Sequence, residues 1–102
     1  MKRIELLRAQ LGGPRDGALL RFSLGTALLD AADPHAAITE LRAALDFDPG
    51  YAAAWKLLGK ACLQDGDAHA AGAAWRRGVA VAGRNGDVQA AREMRVYLKR
   101  LN

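Results

Sequence analysis

Residues 18–37 read ALLRFSLGTALLDAADPHAA, and residues 52–71 read AAAWKLLGKACLQDGDAHAA. At an offset of 34 residues, Leu24-Gly25 meets Leu58-Gly59, Ala27 meets Ala61, Leu29 meets Leu63, Asp33 meets Asp67, and His35-Ala36-Ala37 meets His69-Ala70-Ala71. With Ala18 against Ala52 and Arg42 against Arg76, ten of the 34 aligned pairs are identical. A period of that length marks a supersecondary unit that cannot bury its apolar face alone, so the chain is predicted to stack such units.

Within the unit, the punctuation predicts two helices. Leu20, Leu24, Ala27, Leu28 and Ala31 keep helical spacing through 17–31. Asp33 is placed to cap a second helix over 34–47, and Pro34 suits its first turn because no amide hydrogen is needed there. Asp48-Pro49-Gly50 ends it. The second copy runs over 51–64 and 68–83, joined by Asp65-Gly66-Asp67, with Gly66 expected in the left-handed conformation and Asp67 as a cap.

Outside the copies, Ile4, Leu7 and Leu11 predict a short helix over 2–11 that stops at Gly12-Gly13-Pro14. Asp16 is expected to cap the helix that follows. After a polar break at 83–87, residues 88–101 put Val88, Ala91, Met94, Leu98 and Leu101 on one stripe. The two terminal helices read as covers for the apolar ends of the stack. Gly78, inside a helix, costs about 1 kcal/mol relative to Ala and predicts either local looseness or a close contact.

At 102 residues the chain is predicted to be a single domain with one continuous core, burying roughly 65% of the surface of its unfolded form. The net charge of +4 is uneven: residues 1–16 carry +2, residues 17–75 carry −3 and residues 76–102 carry +5. Cys62 is the only cysteine, which excludes a disulfide scaffold and fits a cytoplasmic location. Glu5 and Arg8 interrupt what a signal peptide would need as an apolar run, and no stretch approaches the ~20 apolar residues of a membrane span.

The repeated unit resembles the tetratricopeptide repeat, a 34-residue pair of antiparallel helices. Trp55, Leu58-Gly59, the Gly66-Asp67 turn, Ala71 and Trp75 match the family pattern in the second copy. Leu24-Gly25, Leu28, Ala37, Leu41, Ala44 and Pro49 match it in the first. Arg21 stands where the family has Trp, Cys62 where it has Tyr, and Gly78 and Gly83 where it has Ala and Pro. The resemblance implies an all-α fold of about six helices in a short right-handed solenoid. It divides the chain into an N-terminal helix and connector (1–16), repeats over 18–51 and 52–85, and a closing helix over 86–102.

It also implies a non-catalytic module that binds a protein or peptide, of acidic character, on the first helices of the repeats. The groove residues carried over are Phe22, Ser23, Thr26, Leu29 and Asp30, then Ala53, Lys56, Leu57, Lys60, Leu63 and Gln64, with Met94 completing the row. A plainer alternative leaves Lys56 and Lys60 as solvated charge and Phe22 covered by helix 2–11. A different class of function, binding of nucleic acid or another polyanion, would use Arg76, Arg77, Arg84, Arg92, Arg95, Lys99 and Arg100. Self-association through an incompletely covered end is a third reading.

Enzyme chemistry is not indicated. No phosphate loop, paired-cysteine motif or hydrolase elbow occurs, and neither a metal nor another cofactor is expected. His35 and His69 recur with the repeat, and equivalent places on stacked helix pairs are too far apart to share a metal. Cys62, Trp55 and Trp75 fall on packing positions and are expected in the core.

Overall fold

Asp33, Asp67 and Asp87 each precede a helix and accept a hydrogen bond from the amide three residues on, at 3.2, 2.9 and 3.0 Å. These caps satisfy amides that have no partner inside a helix. At two of these joints, just before Asp67 and Asp87, the chain also turns through a left-handed glycine, Gly66 at φ 86° and Gly86 at φ 73°, a conformation that glycine adopts without steric cost. The computed structural model describes residues 2–101, which form α1 (Lys2–Arg8), α2 (Ala18–Asp30), α3 (Pro34–Phe47), α4 (Ala52–Gln64), α5 (Ala68–Asn85) and α6 (Val88–Leu101). No strand occurs among the described residues.

Asp16 does not cap α2. Gly17 occupies the cap position without a side-chain bond, and the Asp16 carboxylate accepts from the Gly12 amide at 2.9 Å and pairs with the Arg21 guanidinium at 2.9 Å. Arg21 reaches on to Glu40 of α3 at 3.0 Å. The arginine that replaces the family's tryptophan therefore ties the connector, α2 and α3 together. These bonds hold the Asp16 carboxyl down, at about 2, below its ordinary 3.8. A group lowered on folding stabilises the fold above its unfolded value and ceases to do so as pH falls through its folded value. Stability should therefore decline between about pH 4 and pH 2, and Asp16→Asn should flatten that part of a pH-dependent urea denaturation series.

The helices pack in sequence, each against the next, and α4 also approaches both α2 and α6. No such approach links α3 to α5. The first helices thus stand side by side while the second helices splay apart, which curves the stack and makes α2, α4 and α6 its inner row. This is the helix-pair solenoid of the sequence reading. Leu24, Leu28, Leu41, Ala54, Leu58, Trp75 and Met94 form one core that runs through all of it.

Two close approaches build the pairs. A methyl group at Gly25 would lie 2.7 Å from Leu41 Cγ, and one at Gly59 would overlap the Trp75 indole. Trp75 is 2% exposed, and its Nε1–H donates to the Lys56 carbonyl at 3.0 Å. Gly78 resolves to close contact: Trp55 Cβ and Met94 Cε would each sit 3.0 Å from an added methyl. Trp55 departs from the expectation of a core residue. It is half-exposed because its Nε1–H reaches out to the Pro49 carbonyl at 2.9 Å, and Arg77 lies over its ring at 5.4 Å.

Candidate functional site

On α4, Lys56, Lys60 and Leu63 follow one another at helical spacing and share a face. On α6, Glu93, Tyr97 and Arg100-Leu101 do the same. The two rows meet. Lys56 Nζ lies 3.4 Å from Glu93 Oε2, and Lys60 Nζ lies 5.2 Å from the Tyr97 ring centre. Further along, Lys60, Leu63, Trp75, Tyr97, Arg100 and Leu101 enclose a cleft of about 340 Å³ between α4 and α6. Trp75, rising from α5, packs against Tyr97 with ring centres 5.2 Å apart and planes tilted by 49°.

The other groove residues fall elsewhere. Phe22 is half-buried and packs against Tyr51, the residue just before α4, with ring centres 4.9 Å apart. Thr26 turns its hydroxyl back to the Phe22 carbonyl at 3.0 Å and, with Asp30, borders a cleft against Arg3 and Ile4 of α1. Leu29 and Leu57 pack against the core, Ser23 and Ala53 are half-buried, and Gln64 is exposed. The inner row is therefore a set of separate places along α2, α4 and α6.

Met94 does not belong to that surface. It is fully buried against Gly78 and Trp55. Strict extension of the 34-residue period carries Lys60 onto Met94, but Val88 begins α6 36 residues after Ala52, whereas Ala52 begins α4 34 residues after Ala18. The surplus arises in α5, which runs 18 residues against 14 for α3. Met94 consequently takes the place of buried Leu58, and Tyr97 faces Lys60. Tyr97 and Glu93 were missed for that reason, although their spacing of four on α6 was visible.

The seven basic residues of the polyanion reading are all exposed. Arg77 borders a cleft between α3 and α5 with Arg42 and Trp55, while Arg100 lines the cleft between α4 and α6. His35 and His69 are exposed, and His35 lies 3.5 Å from Asp65. Among the described residues no three of His, Cys, Asp and Glu come together as metal ligands. Cys62 is buried, and burial pushes its thiol above the usual range, which keeps it protonated and unreactive. No described helix is long and apolar enough to cross a membrane.

Comparison with known proteins agrees with the helix-pair fold. A family model described as tetratricopeptide repeat matches residues 18–61. A TPR repeat-containing protein of Pseudomonas aeruginosa is 46% identical over 99 residues, spanning 97% of this chain and 94% of that protein. The solution structure of a Bordetella parapertussis protein, also 46% identical, superimposes with a TM-score of 0.83 over 96% of this chain and 85% of its own.

Proposed function

The chain belongs to the tetratricopeptide repeat family, and from that premise we propose that it is a non-catalytic interaction module whose inner row of helices receives a segment of another protein. Repeats of this family generally mediate contacts between proteins, and two of them, over 18–51 and 52–85, form the body of this one. The observation that carries the reading is the cleft between α4 and α6, where Leu63 stands 45% exposed beside the Tyr97 and Trp75 rings. Apolar and aromatic groups grouped in a concavity with a few charges at the edge are what a binding site for a peptide needs.

Site-specific photo-crosslinking tests it. A photoreactive amino acid placed at Leu63 should capture a protein partner in cells, and the same group at Ala80, exposed on α5 of the outer row, should not. Lys60→Glu should lower the Leu63 capture roughly fivefold, the scale expected when one edge charge is reversed. Equal capture from both positions would remove the inner row as the binding face.

A further inference from the structure

We propose that the α4–α6 cleft recognises an internal peptide segment in which a bulky apolar side chain lies next to an aspartate or glutamate, the apolar group entering between Leu63, Trp75 and Leu101 and the carboxylate bridging Lys60 and Arg100. The proposal rests on the inner-row reading above and specifies its ligand. The last helix then becomes a wall of the site as well as a cover for the core.

Charge accounting selects the cations. Lys56 is already neutralised by Glu93 at 3.4 Å. Lys60 and Arg100 stand on opposite walls of the cleft, and among the described residues neither has a carboxylate within 4.0 Å. Lys60 instead lies over the Tyr97 ring at 5.2 Å, which holds its ammonium above the floor without consuming its hydrogen-bonding capacity. Two cations converging on one space complement an anion placed between them.

The floor selects the rest. Trp75 has spent its indole N–H on the Lys56 carbonyl, so the base of the cleft presents ring faces and the Leu63 and Leu101 side chains, and the one neutral side-chain donor left in the lining is the Tyr97 hydroxyl. An apolar side chain loses nothing on entering such a space, while a polar one would forfeit its water. Capture of a chain terminus calls for donors to the terminal carboxylate and to the backbone before it. The lining supplies no Asn, Gln, Ser or Thr for that purpose. Side-chain recognition of a passing segment fits the chemistry better.

Selection from a phage-displayed random peptide library on the full chain, followed by titration of synthetic peptides into the isotope-labelled protein, tests the proposal. Enriched sequences should place an acid beside Phe, Trp, Leu or Met and should shift Lys60, Leu63, Tyr97 and Arg100. Affinity should fall roughly tenfold in Lys60→Glu with Arg100→Glu, both positions being exposed so that the fold is retained, and should weaken as salt rises. Replacing the peptide acid by its amide should cost a similar factor, whereas amidating the peptide's C-terminus should change little. Peptides that bind but shift Phe22 and Tyr51 instead would overturn the cleft assignment and leave the inner-row reading standing. Dependence on a free C-terminus would overturn the internal-segment ligand, and failure to enrich any peptide would count against both readings.

Discussion

Trp75→Ala is expected to destabilise the chain by about 3–5 kcal/mol, the usual cost of deleting a buried aromatic ring. Trp75 is 2% exposed and joins three helices: it belongs to α5, seats under Gly59 of α4 and packs against Tyr97 of α6. Its loss opens a cavity where backbones are held too rigidly by helix geometry to collapse into it. The lost hydrogen bond matters less, because the Lys56 carbonyl also accepts the amide four residues on within α4. Against a total stability of about 5–15 kcal/mol for a domain of this size, the loss is a large fraction of the whole. Thermal unfolding followed by circular dichroism should show a midpoint lower by roughly 15–30 °C. Trp75→Phe should lose less, since it retains a ring in the same place. A decrease smaller than about 1.5 kcal/mol for the alanine variant would show that the indole is not the joint between the last three helices.

The same residue shows how far the sequence could be read. The helices and the joints inside the repeats were legible because their signals are local: Asp33-Pro34, Asp48-Pro49-Gly50 and Asp65-Gly66-Asp67 act within a turn of themselves, whereas the helix expected over 2–11 stops at Arg8 and the one expected over 68–83 runs on to Asn85. The repeat sets Gly25 and Leu41 at the places that Gly59 and Trp75 take in the second copy, so one kind of close approach serves both pairs. The site was less so, since it depends on how α6 is rotated against α4, and that rotation follows from α5 continuing to Asn85. Gly83 is helical and exposed there, and no side chain at Gly83 or Arg84 forbids the extra turn. The resemblance carries Met94 into the groove row, whereas the longer helix turns it inward and brings Tyr97 to Lys60. Asp16 was misread for a related reason: the cap rule is local, but Arg21 is close enough to claim the carboxylate first. Trp55 remained half-exposed because a carbonyl in the preceding turn, that of Pro49, was available to its ring nitrogen.

Gly59→Ala should destabilise the protein by about 1–3 kcal/mol, the range for overpacking a tight contact. Two effects of opposite sign compete. Alanine is favoured over glycine inside a helix by about 1 kcal/mol, and this term alone would stabilise α4. The added methyl, however, would overlap Nε1, Cδ1 and Cε2 of Trp75, atoms of a rigid ring held by its bond to Lys56 and its tilted contact with Tyr97. Such a ring cannot swing aside as the end of a long side chain can, so the steric term wins. Gly83→Ala isolates the propensity term, because a methyl there has nothing within 4 Å, and it should raise stability by up to about 1 kcal/mol. A cycle completes the argument. In a Trp75→Leu background the obstructing ring is gone, and Gly59→Ala should become close to neutral or stabilising, leaving a coupling of at least about 1 kcal/mol between the sites. Urea denaturation of the four proteins gives that number directly. Additive losses, within about 0.5 kcal/mol, would mean that Gly59 is required for a reason other than the approach of Trp75.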